Sequence, residues 1–75
     1  MAKIDKLDPA DRTRTSLHEV VDATFHVFEL NGQTILQIDT YGKVGRQIPG
    51  KTSQSIQLGP EGQAALRKIL DGLDG

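Results

Sequence analysis

The 75 residues contain no cysteine, which excludes disulfide cross-links and thiolate metal sites. The only histidines, His18 and His26, stand eight positions apart, without the i, i+4 spacing of a helical ligand pair. No apolar run approaches the roughly 20 residues of a membrane span, and no signal-peptide core follows Met1. A cytoplasmic protein without metal is therefore expected. Aromatic residues are scarce: Phe25, Phe28 and Tyr41 are all there are.

Charge of either sign is lacking in excess. The net charge is −1, which argues against a general polyanion binder but conceals a segregation. Residues 1–30 hold four cations against six anions, and residues 59–75 hold two against three. Residues 31–58 hold Lys43, Arg46 and Lys51 against Asp39 alone. The middle of the chain is mildly basic and its flanks acidic.

Catalytic patterns are missing as well. His18, His26, Asp39, Ser53 and Ser55 are the only candidates for acid–base or nucleophilic work, and Ser53-Gln54-Ser55 lacks the glycines of a nucleophile elbow. Gly42, Gly45 and Gly50 are too scattered for a phosphate-binding loop. A non-enzymatic protein without a cofactor is expected. A chain this short buries only about 60% of its unfolded surface. With neither disulfide nor metal available as a staple, self-association is the expected substitute.

What is present is a run of alternating segments. Residues 1–16 are polar, with Ile4 and Leu7 the only sizeable apolar residues after Met1. They read as an N-terminal arm, with one or two helical turns starting at Asp8-Pro9 at most. Residues 17–75 read as a single β-β-β-β-α domain. A first strand, Ala23 to Leu30, meets Asn31-Gly32, the strongest short signal for a type I′ hairpin. Gln33 to Tyr41 returns from it. That turn pairs Leu30 with Gln33, Phe28 with Ile35 and His26 with Gln37. Thr24, His26, Phe28, Ile35, Gln37 and Asp39 then share one face, expected to be open or to meet a partner. Phe25, Val27, Leu36 and Ile38 share the drier face, expected to meet the helix.

Tyr41 to Gly45 reads as a loop, Arg46-Gln47-Ile48 as a short strand, and Pro49-Gly50 as a turn. Thr52 to Leu58 is the fourth strand. Its Gln54, Ile56 and Leu58 point one way, and Ser53, Ser55 and Gln57 the other. Gly59 caps a helix with Pro60 at its first position. Gly62, Leu66, Ile69 and Leu73 form its apolar stripe with Ala65 and Leu70 beside them; Leu66, Ile69 and Leu73 are read as core, with Leu73 open to a dimer contact. Gly72 ends the helix, and Asp74-Gly75 frays.

The Asn-Gly hairpin, Leu36-Gln37-Ile38-Asp39-Thr40-Tyr41, the loop to Pro49-Gly50-Lys51, Ile56-Gln57-Leu58-Gly59-Pro60-Glu61 and the striped helix come in a distinctive order. Over about residues 23–71 it resembles the single-stranded-DNA-binding domain of the positive-cofactor-four transcriptional coactivators and their short bacterial relatives. The resemblance implies a curved, four-stranded antiparallel sheet followed by one C-terminal helix, an α+β fold that forms a homodimer. It also implies that single-stranded DNA or RNA follows the sheet surface. Carried over by position, Lys51 follows the Pro-Gly, Tyr41 closes the second strand, and Lys43 and Arg46 lie in the basic loop. Cations release counterions from phosphates, and an aromatic ring stacks any base. The expected nucleic-acid-binding residues are Lys43, Arg46 and Lys51 for phosphate, Tyr41 for stacking, and Gln37, Ser53, Ser55 and Gln57 for polar contacts. The alternative is a protein-interaction or accessory module of a DNA-processing or defence system, receiving a partner chain at the open sheet face or edge.

Overall fold

A computed structural model describes residues 1–43 and 52–73, the side chain of Lys43 excepted. Five elements follow in order: β1 (Ala2–Ile4), β2 (Val21–Leu30), β3 (Gln33–Lys43), β4 (Gln54–Leu58) and α1 (Pro60–Leu73). They form an open four-stranded sheet in the order β1-β4-β3-β2, with one helix.

The hairpin forms as its turn chemistry requires. Asn31 has φ 53° and Gly32 has φ 77°, the two positive values of a type I′ turn. The register is the expected one, with Leu30 opposite Gln33, Phe28 opposite Ile35 and His26 opposite Gln37. Toward the far end the pairing slips between Val21 and Ala23, which face Lys43 and Thr40. Two residues, Tyr41 and Gly42, stand against Asp22 there, and Gly42 takes φ 81°. A glycine bulge of this kind lets a strand bend without ending. Gly42 and Lys43, expected as loop beyond a strand ending at Tyr41, therefore continue β3.

The sheet departs from the expected topology at one edge. It is mixed rather than purely antiparallel, because β1 pairs parallel with β4: Ala2 with Ile56, Lys3 with Gln57 and Ile4 with Leu58. The segment expected as a polar arm thus supplies a strand. Three residues are too few to carry a readable alternation, and their partners lie about fifty positions away. No helix starts at Asp8-Pro9; residues 5–20 are without regular structure. The expected strand Arg46–Ile48 and the turn Pro49-Gly50 lie outside the described residues, as does the fraying end Asp74-Gly75.

The helix begins where Gly59 and Pro60 place it and runs to Leu73, one residue beyond Gly72. Glu61 lies in its first turn, favoured by the positive end of the helix dipole. Gln63 anchors it to the sheet: its Nε2 donates to the carbonyl oxygens of Leu58 and Thr34, 2.8 Å each. The drier sheet face receives the helix, but only at the end holding Leu36 and Leu58. Gly62 packs there against Leu58 and the backbone of Ile4.

Burial is slight and divided between the two faces. Leu58 (3% exposed) is covered beneath the helix, whereas Ile35 (5% exposed) lies on the helix-free face. The helix stripe, expected as core with Leu73 open to a dimer contact, is covered only in its first half: Gly62 is buried, Ala65 and Leu66 half-buried. Ile69, Leu70 and Leu73 are exposed, as are Phe25 (71%) and Val27 on the same side of the sheet. The radius of gyration is 14.6 Å, against about 11 Å for a compact chain of this length. The accessible area of 6681 Å² exceeds the roughly 4,500 Å² expected at this mass. Residues 8–20, all exposed, contribute to the surplus, as do the uncovered apolar side chains. Among the described residues no helix is long and apolar enough to cross a membrane.

Candidate nucleic-acid interface

Strand alternation places three groups of polar side chains on the helix-free face: Thr24 and His26 from β2, Gln37, Asp39 and Tyr41 from β3, Ser55 and Gln57 from β4. Register makes neighbours of residues far apart in sequence, because Gln37 lies opposite Gln57 and Asp39 opposite Ser55. The result is a continuous hydrogen-bonded line. Gln57 Nε2 donates to Gln37 Oε1 at 2.9 Å, and Gln37 Nε2 donates to Asp39 Oδ1 at 2.9 Å. Ser55 Oγ donates to the same carboxylate oxygen at 2.5 Å.

Asp39 is the acceptor on which that line converges, and it is buried (9% exposed). The Ser55 hydroxyl first, and then the Gln37 amide, hold its carboxyl below the ordinary aspartate value. Burial opposes them, and nearby His26 assists. The carboxylate is thus kept ionised by donors rather than by a cation, as expected when the charged form receives hydrogen bonds.

Beside the line, the rings of His26 and Phe28 lie stacked with centroids 5.5 Å apart. Their i, i+2 spacing puts both on this face. Tyr41 also belongs to it, and its hydroxyl is 2.7 Å from Thr24 Oγ1. Two hollows flank the line. A cleft of about 410 Å³ is bounded by Met1, Ala2, Lys3, Gln37, Ser55 and Gln57. A second of about 220 Å³ lies toward the hairpin, with Lys3, Phe28, Ile35 and Gln57 in its wall.

Of the residues expected to bind, the structure brings Gln37, Ser55, Gln57 and Tyr41 onto one face. Ser53 is exposed just ahead of β4, where its backbone N–H donates to Thr40 O at 2.7 Å. Arg46 and Lys51 lie outside the described residues, as does the side chain of Lys43. Two contributions escape a reading of the sequence. The His26–Phe28 ring pair follows from strand alternation and was legible in principle. Lys3 was not, since its place on the face depends on the parallel pairing of β1. Among the described residues, no three His, Asp or Glu side chains gather as metal ligands would.

No family model, curated protein or solved structure matches the chain. The reading of function therefore rests on the geometry above and on the residue-order resemblance.

Proposed function

We propose that this is a small, non-enzymatic, homodimeric protein that binds single-stranded nucleic acid with weak sequence preference. The observation that carries the proposal is the line Gln57–Gln37–Asp39–Ser55 lying beside the His26–Phe28 ring pair on the helix-free face. Amides and hydroxyls on a sheet surface bond sugars, phosphates and base edges, and the exposed faces of rings receive bases without regard to sequence. A carboxylate cannot touch a phosphate, so Asp39 assigns the centre of the face to bases and the rim to the backbone. Lys43, Arg46 and Lys51, expected from the sequence to bind phosphate, would supply the cations, and Tyr41 adds a ring at the far end of β3. The exposed Phe25, Val27, Ile69, Leu70 and Leu73 form the side on which a second copy sits.

Titration of a labelled single-stranded oligonucleotide tests the reading. With about three phosphate contacts, affinity falls at least tenfold between about 50 and 200 mM salt. No measurable binding at the lower salt refutes it.

One observation favours the alternative, a protein-interaction or accessory module. β2 is an outer strand of ten residues, and a long exposed edge accepts an added strand from a partner. A partner captured from nuclease-treated lysate and lost on substituting Glu29, whose N–H points away from β3, by proline supports this reading over the first.

A further inference from the structure

Lys3 occupies a position that the proposed function leaves unused. The pairing of Lys3 with Gln57 sets its side chain on the same face as the polar line, and it borders both hollows there. Among the described residues its side chain is the only charged one in the wall of either hollow. Its Nζ lies 2.7 Å from Asp5 Oδ1, and both side chains are partly exposed. The pair sits over the turn that starts α1, since a β-carbon on Gly59 would come within 3.0 Å of each of the two charged atoms. An ion pair so open to water is weak, and a second anion can displace one partner from the other.

We propose that Lys3 is a phosphate contact of the face and that Asp5 occupies it until nucleic acid arrives. A backbone phosphodiester at the β1 edge of the larger cleft accepts from the Lys3 ammonium and replaces the Asp5 carboxylate as its partner. Gln57 and Ser55 line the same cleft and offer amide and hydroxyl groups to the adjoining sugar. The inference rests on the nucleic-acid reading above. It adds a cation on the β1 edge of the sheet.

The test uses the whole chain and a labelled oligothymidylate of about 20 nucleotides, titrated between about 50 and 200 mM salt. Losing one phosphate contact lowers the slope of log affinity against log salt by about 0.7 for a single strand. Lys3→Gln should show that reduction, and Lys3→Arg should restore the slope. Asp5→Asn should bind about two- to threefold more tightly at low salt, because no carboxylate then competes. A merely structural ion pair predicts otherwise: both Lys3→Gln and Asp5→Asn loosen β1 and move affinity the same way. An unchanged slope in Lys3→Gln, or that parallel loss, overturns the inference while leaving the nucleic-acid reading intact. Absence of binding by the unaltered chain overturns the reading, and the inference with it.

Discussion

The carbonyl oxygen of Ile4 lies directly against the α-carbon of Gly62, with no room for a side chain between them. This contact joins the edge strand to the helix through backbone alone. Gly62 is consequently a packing residue, although glycine inside a helix costs about 1 kcal/mol relative to alanine. In an isolated helix Gly62→Ala would stabilise. Here a β-carbon would strike the Ile4 carbonyl and the Leu58 side chain. We expect a loss of about 1–3 kcal/mol, read by urea denaturation. Amide exchange at Lys3 and Ile4 should rise with it, reporting release of β1.

Acid should act through Asp39. Its folded-state pKa is depressed, first by Ser55 and then by Gln37. Its contribution to stability is therefore complete above the ordinary aspartate value near 3.9 and is lost as pH falls through the lower folded value. Asp39→Asn should be less stable at neutral pH and should lack this part of the acid dependence. Thermal unfolding from about pH 7 downward compares the two. A variant as stable as the parent at neutral pH would show that the donors gain nothing from the charge.

The uncovered apolar side predicts a concentration-dependent assembly. Phe25 and Leu70 are 71% and 51% exposed in the single chain. Were the protein a monomer, Phe25→Glu and Leu70→Glu would change stability by no more than about 0.5 kcal/mol. In a dimer built on this side, each should shift the sedimentation equilibrium by at least tenfold toward the monomer. Apparent stability should drop in parallel, since folding and assembly are then linked.

The hairpin turn makes a narrower prediction. Gly32 has φ 77°, and a β-carbon there would meet nothing within 4 Å. The cost of Gly32→Ala is then purely conformational, about 1–2 kcal/mol for an L-residue in the left-handed region. Denaturant midpoints should show that loss with an unchanged m value.

The most local features were the most legible. Asn31-Gly32 set the turn, the turn set the register, and the register put Thr24, His26, Phe28, Ile35, Gln37 and Asp39 on one face; Ser55 and Gln57 join them only through the pairing of β4 with β3. Gly59-Pro60 set the start of the helix. Each of these follows from steric rules acting over a few residues. The reading failed where the deciding contacts join distant segments. Ala2–Ile4 has no periodic signature, and only the free edge of β4 gives it a strand to lie beside. The stripe residues Ile69 and Leu73 looked like core because periodicity reports amphipathicity and is silent about what covers the apolar side.

The hairpin, its register, the alternation along β2, β3 and β4 and the start of the helix were thus determined by the sequence itself, because turn sterics and side-chain alternation are short-range. The tertiary structure alone decided that the sheet is mixed, that Lys3 joins the polar face, and that the helix shields Leu58 but leaves Phe25 uncovered. Those outcomes depend on which backbone edges and apolar surfaces meet in space, and the energy of that meeting belongs to pairs of segments rather than to either one.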